Sequence, residues 1–379
     1  GRLGLAGTDQ LVSATGSGAH TINSVLRFGL LSSATNVVAT ISNDSTGVLT
    51  LNRLETLGTI AAAHELRVAG SGNTVIERAV VNPSGQSNSV GLVKSGAGTL
   101  TFIASTGTPI KQGITINGGA VVLGAASTHT GGTTVNSGGR LVVGAANAIS
   151  ATDLALNSGG TLQLGNGGSG SVTGAITNNG TVTFNFTAGT DVTNVISGSG
   201  GVLHDLGSRV SLTASNAYSG GTRVASTGSS DVLLGVSSDN NLGDVSGALT
   251  LAGAGRGTLR LDAAGFSSAR NIVLEESGGR LAVGSAGDTG LFSGSITGAG
   301  GLTAGISVAL GGSASGVITL SGALSYSGPT AVAFGTLVLS NAAGTNALTG
   351  GFGTGSGALI KDGAGVLQLS GSNAATGSL

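Results

Sequence analysis

The stretch GTLTF (98–102), GAVVL (119–123), GRLVV (139–143), GTLQL (160–164), GTVTF (180–184), GVLHD (201–205) is one short strand returning six times, at steps of 21, 20, 21, 20 and 21 residues. The second position after each glycine reads Leu100, Val121, Leu141, Leu162, Val182, Leu203, and the fourth reads Phe102, Leu123, Val143, Leu164, Phe184, Asp205. Positions two apart share a face of a strand, so stacked copies would build two apolar columns. Upstream lies a third column, Ile116, Val135, Leu156, Ile176 and Ile196. Each unit therefore carries at least two strands joined by a corner.

Those corners read INGG (116–119), VNSGG (135–139), LNSGG (156–160) and TNNG (177–180). Asn and Gly tolerate the positive φ of a sharp corner, and Asn117, Asn136, Asn157 and Asn178 are placed to stack as an amide ladder. An antiparallel sandwich has no reason to keep residue type constant every 20 to 21 positions. One coil per period explains it. Leucine-rich repeats have a similar period, but their L-x-x-L-x-L-x-x-N frame is missing. The expected fold is all-β, a right-handed parallel β-helix with about 20–22 residues per coil. Were the whole chain so coiled, roughly 18 coils would give a rod of about 90 Å, less where segments are irregular.

Outward from this core the period loosens. GTLRL (257–261), GRLAV (279–283) and GLTAG (301–305) follow at 22-residue spacing, then GTLVL (335–339) and GVLQL (365–369) at wider intervals. Residues 1–90 are less regular but retain alternation in VLRFGLL (25–31), TGVLTLNRL (46–54) and HELRVAG (64–70). No Pro-rich or charged linker marks a boundary. Residues 1–90 are read as irregular coils continuous with regular repeats over 91–379.

Composition agrees. The 379 residues include 73 glycines and only three prolines (Pro83, Pro109, Pro329), without the strict triplet period of collagen. Recurring Val, Ile, Leu and Thr, with a mean hydropathy of +0.38, argue against disorder. Fifteen basic against sixteen acidic residues leave a net charge of −1 and no cationic stripe for nucleic acid. No apolar run of about 18 residues could span a membrane as a helix. GRLGLAGTDQ at the amino end has no signal-peptide pattern, and with no Met anywhere the chain reads as part of a longer precursor. Cysteine is absent, which removes disulfides and thiolate metal sites.

GLVKSGAGTLTF (91–102), HTGGTTVNSGGRLVVG (129–144), YSGGTRV (218–224), LSYSGPTAVAFGTLVLS (324–340) and LIKDGAGVLQLSGSN (359–373) resemble the autotransporter-associated β-strand repeat of bacterial surface proteins. The core K-x-G-A-G-x-L-x-[FL] occurs at Lys94–Phe102 and Lys361–Leu369. The pattern Y-[ST]-G-G-T-x-V follows at Tyr218, with His129 in place of Tyr in a second copy and Pro329 in place of the second Gly in a third. The resemblance implies a passenger-type β-helix, displayed or secreted, acting as spacer or scaffold.

The search for chemistry returns little. β-Helix lyases and hydrolases need clustered carboxylates, and here the acids are scattered, the one adjacent pair being Glu275–Glu276, expected to point to opposite faces. SSDNNLGD (237–244) is read as a polar surface turn; the less favoured alternative takes Asp239, Asn241 and Asp244 as oxygens for calcium, without the nonapeptide of calcium-binding solenoids. Asp205 is expected to turn outward through a local insertion, because an unpaired buried carboxylate is costly. His20, His64, His129 and His204 share no metal-ligand spacing, and GAGRG (253–257) lacks the context of a nucleotide fingerprint. Tyr218 and Tyr326 sit at matching repeat positions and are expected to pack at a corner rather than bind sugar.

No catalytic, cofactor-binding or metal-ligating residue is assigned, and no cofactor. The expected function is a non-enzymatic structural rod or filament-forming protein, extracellular or on a bacterial surface. The alternatives are an adhesin for a glycan or another cell and, less favoured, a polysaccharide-degrading enzyme. Expected partners are further copies of the same solenoid, head to tail, since neither GRLGLAG nor GSNAATGSL looks like a cap, and, on the adhesin reading, a cell-surface glycan. Leu141→Asp is expected to disrupt neighbouring coils and Asp288→Ala to be silent.

Overall fold

Alternating apolar residues bury one face of a strand, and a column of such residues forms only where successive strands lie parallel and in register. The computed structural model places them so. It describes residues 2–4, 9–29, 36–57, 63–81, 89–106, 110–127, 129–150, 154–206, 208–226, 230–253, 257–306 and 315–340, and the backbone of strands within 345–374. The chain divides into two units, Gly1–Val182 and Thr183–Leu379.

In the first unit each coil contributes one strand to each of two parallel sheets. One sheet stacks Arg2–Gly4, His20–Gly29, Leu49–Leu57, Thr74–Ile76, Thr99–Phe102, Gly119–Leu123, Gly139–Val143 and Thr161–Leu164. The other stacks Asp9–Ala14, Val38–Asn43, Ala63–Ala69, Ser89–Lys94, Gly113–Ile116, Thr133–Val135, Leu154–Leu156 and Ile176–Asn178. Val121 pairs with Leu100 and Leu141, and Leu141 with Leu162. All four, with Val182, are fully buried. Their columns are the core. The corner glycines Gly138 and Gly159 adopt φ of 77° and 76°, which a Cβ would oppose, and the Gly138 N–H donates to the Gly159 carbonyl of the next coil (3.0 Å).

Asn136 donates to Asn117 and Asn157 to Asn136, each at 2.7 Å, so the expected ladder exists over three coils. Its fourth member is not Asn178. Leu156 pairs with Asn178 rather than Ile176, so both the third column and the ladder are displaced here. Asn178 points inward, fully buried, and its Oδ1 accepts the Gly180 N–H (3.0 Å). The Asn179 N–H takes the ladder's main-chain position on Leu156.

The second unit is also wholly parallel in its strand pairing. Gly201–His204, Thr222–Ala225, Leu249–Ala252, Ile272–Leu274, Ile296–Gly298 and Leu324–Tyr326 form one stack. A second contains Thr190–Val192, Val210–Leu212, Val232–Val236, Gly257–Leu261, Gly279–Val283, Leu302–Ala304 and Thr330–Val332, and a third contains Phe266–Ser268, Thr289–Phe292, Val317–Leu320 and Thr336–Ser340. GTLVL (335–339) thus lies in a different sheet from GTLRL and GRLAV: the glycine-led strand is not confined to one side of the coil.

The first column also slips. His204 pairs with Val224 and Leu203 with Arg223, so Val202 and His204 are buried while Leu203 is only half-buried. Asp205 is half-buried beyond the strand end, as a consequence of this one-residue shift of facing rather than of an insertion. The terminal segments whose edges were read as uncapped fall largely outside the described residues.

Candidate functional site

Four constellations in the two units hold polar groups close enough for chemistry. The first recurs three times at spacing i, i+4. Tyr218 Oη and Thr222 Oγ1 are 2.6 Å apart, as are Tyr326 Oη and Thr330 Oγ1, and all four residues are buried. Burial pushes both phenols up to about 12, so they stay neutral. In the copy that starts with His129, Nε2 lies 2.9 Å from Thr133 Oγ1. The Y/H-x-G-x-T pattern is therefore a hydroxyl latch closing a coil corner. Sequence reading placed the tyrosines correctly at a corner but missed the threonine that each one holds.

The same His129 meets Ser127 through Nδ1, and Ser127 in turn meets Thr106. A serine on an imidazole suggests a nucleophile and base. Here the imidazole's other nitrogen is spent on Thr133, in the latch that the tyrosines make elsewhere, so the arrangement is that of a corner.

The second constellation is the SSDNNLGD turn. Asp239–Leu242 is one 3₁₀ turn capped by Ser238. Its cation is Arg270, 1% exposed, whose Nε and Nη2 reach Asp239 Oδ1 and Oδ2 at 3.3 and 3.4 Å. Arg270 also donates to the carbonyls of Asp244 (2.6 Å), Gly243 (3.0 Å) and Gly247. Asn241 Oδ1 accepts from the N–H groups of Ser237 and Ser238, both at 2.9 Å, and Asp244 Oδ1 from Ser246. Oxygens of Asp239, Asn241 and Asp244 are thus engaged from within the protein, as in a polar turn. Among the described residues no three His, Asp or Glu converge as a metal site.

Two buried bases form the third. Lys94 sits inward between Val68 and Ile116 in register, and its Nζ donates to the carbonyls of Ser95 (2.6 Å), Gly96 (3.0 Å) and Gly118 (3.4 Å). Burial lowers it to about 8. His204 stands in an apolar column, edge-on to Phe184 at 5.9 Å, with Nε2 3.1 Å from the Leu233 carbonyl. Burial pushes it down to about 4, against smaller opposing effects of the Leu233 and Ser208 main chain. Neither base reaches solvent, and both serve packing. Glu275 is half-exposed and held below the usual carboxylate range by Arg223, while Glu276 is exposed; both lie beyond the strand Ile272–Leu274, so strand alternation does not set their facing.

The fourth is a groove of about 320 Å³ on the outer face of the second unit. Asp191, Ser211, Gly235 and Arg260 are successive partners across four coils. Arg260 Nε donates to Asp262 Oδ1 (2.6 Å), and Arg209 faces Asp191 at 3.8 Å. These residues were legible only as scattered acids and bases, because assembling them requires the length of every intervening coil.

The passenger-associated-transport-repeat model matches residues 92–123, 116–143, 208–229, 315–339 and 359–379. Three of these matches contain the Lys94 corner, the His129 latch and the Tyr218 latch, and a fourth the Tyr326 latch. Comparison with curated proteins and with solved structures found no match. Five matches to this repeat, on strands that pair parallel in the described residues of both units, make the chain similar to the β-helix repeats of autotransporter passengers.

Proposed function

We propose that the chain is a non-catalytic structural element, an extracellular or cell-surface solenoid that spaces or scaffolds. The observation that carries this reading is how its few charges are used. Arg223 and Glu275 form a two-point pair (3.1 and 2.6 Å) 52 residues apart, and Arg280 donates to Asp231 (2.6 Å) 49 residues away. In register, Arg223 stacks on Thr250 and Thr250 on Val273, so its partner Glu275 belongs to the second coil along. These ties skip a coil. Arg27–Glu55 and Arg270–Asp239 likewise join separate coils, which suits a body that resists being pulled open along its stack.

Force spectroscopy on the intact chain tests this. Coils of about 21 residues should release about 70 Å of contour length each, with paired release of about 140 Å where a tie spans two coils. Extension without discrete resistance, or turnover of an anionic polysaccharide abolished by chelator, would contradict it. Head-to-tail self-association is part of this proposal: filaments in purified native material support it, discrete particles alone oppose it.

A further inference from the structure

The groove in the second unit has a feature that packing does not account for. Ser211 is 6% exposed, and its Oγ has no hydrogen-bond partner, which leaves a buried donor and acceptor unsatisfied in a sheet where neighbouring polar groups are paired. Its coil neighbour Gly235 is the one residue without a side chain in the row Asp191, Ser211, Gly235, Arg260. A Cβ at Gly235 would lie 2.5 Å from Asp262 Oδ2 and 3.0 Å from Ser211 Oγ. The space that a side chain at Gly235 would take is filled instead by the Asp262 carboxylate and the Ser211 hydroxyl, which lie together at the floor of the groove.

We propose that this groove binds a neutral, hydroxyl-rich ligand of the oligosaccharide class. The charges favour a neutral ligand: each guanidinium already faces a carboxylate, Arg260 with Asp262 and Arg209 with Asp191, so neither an anion nor a cation finds an uncompensated partner. A guanidinium carries five N–H donors and a carboxylate about four acceptor sites, more than one pairing consumes. Vicinal diols use both kinds, accepting from the guanidinium and donating to the carboxylate. Ser211 Oγ, covered at the groove floor, supplies the third contact once the Asp262 carboxylate turns from over Gly235 to the ligand, and a ligand hydroxyl there would satisfy the unpartnered group. The row advances about 4.8 Å per coil, so an extended saccharide lying along the stack meets Asp191, Ser211 and Arg260 in turn. No aromatic ring lines the groove, so the affinity lacks stacking and falls in the millimolar range. This goes beyond the structural reading, which stands or falls separately on force and turnover.

Ser211→Ala separates binding from folding. Deleting a buried unsatisfied hydroxyl leaves stability unchanged or raised, while loss of one ligand hydrogen bond weakens binding about fivefold. The intact chain is titrated by NMR with maltotetraose, cellotetraose and chitotetraose as neutral probes and tetragalacturonate as the anionic one. Saturable binding of a neutral tetramer, weakened about fivefold in Ser211→Ala and at least as much in Arg260→Gln, with the Ser211→Ala melting midpoint not lowered, is the expected result. Absence of saturation by every neutral tetramer, preference for tetragalacturonate, or unchanged binding in Ser211→Ala overturns the proposal.

Discussion

If the Tyr–Thr latch closes the coil corner, then Tyr218→Phe removes one hydroxyl and strands the other. Tyr218 is 0% and Thr222 2% exposed, and the 2.6 Å bond is the contact their oxygens make. Leaving Thr222 Oγ1 buried without a partner costs about 1–3 kcal/mol. Thr222→Val strands the phenol by the same argument and costs a similar amount. The double variant removes both groups at nearly constant shape, which is close to neutral for a buried pair. The cycle should therefore show a coupling of at least about 1 kcal/mol, and Tyr326 with Thr330 provides an independent repeat of it. Because long repeat arrays need not unfold in one step, local opening is the better readout. Hydrogen exchange at Thr222 N–H, bonded to the Ala248 carbonyl, and at Asp244 N–H, bonded to the Tyr218 carbonyl, reports the corner directly. Each single variant should speed exchange there about tenfold per 1.4 kcal/mol, with little change at Leu100 or Leu141. Additivity within about 0.3 kcal/mol would refute the latch.

Four other outcomes follow from buried groups. The folded-state pKa of His204, about 4, lies below the ordinary 6.5, so the unfolded chain binds the extra proton first. The stability contributed by keeping this ring neutral is present above pH 6.5 and is lost as pH falls toward 4. His204→Leu should flatten that part of the denaturation profile relative to the parent. Lys94, lowered from 10.5 to about 8, has the same sign in another window: its burial penalty fades as pH rises from about 8 to 10.5, and Lys94→Met should remove that rise. Leu141→Asp should disrupt the first unit by several kcal/mol, since it buries an unpaired charge at a 0% exposed position. Asp288→Ala is not the silent change its loop position suggested. Its Oδ2 accepts the Ser285 N–H at 2.8 Å and its carbonyl accepts Val317 N–H, so losing the carboxylate should cost about 1 kcal/mol in thermal melts.

These cases show where reading residues in order works and where it stops. Leu100 to Val182 were legible as a column because coils of nearly constant length keep each residue's facing. A shift of one residue inverts facing, which is why Leu203 was placed inside and His204 was not, and why Asn178 was put on the ladder. Arg270 was invisible as the cation of the 237–244 turn because it lies 31 residues beyond Asp239. The groove was hidden for the same reason: Asp191, Ser211, Gly235 and Arg260 meet only after coils of unequal length are stacked.

Register is therefore the claim on which the rest depends, and cysteine cross-linking measures it in a chain with no native cysteine. Thr99 and Ala120 are Cα partners on adjacent coils, as are Arg140 and Thr161, about 4.8 Å apart and within disulfide reach. Mild oxidation should join Thr99→Cys to Ala120→Cys, and Arg140→Cys to Thr161→Cys, within one chain. It should leave Thr99→Cys with Val122→Cys unlinked. Efficient linkage of the Thr99 and Val122 pair, with none between Thr99 and Ala120, would contradict the parallel in-register coil.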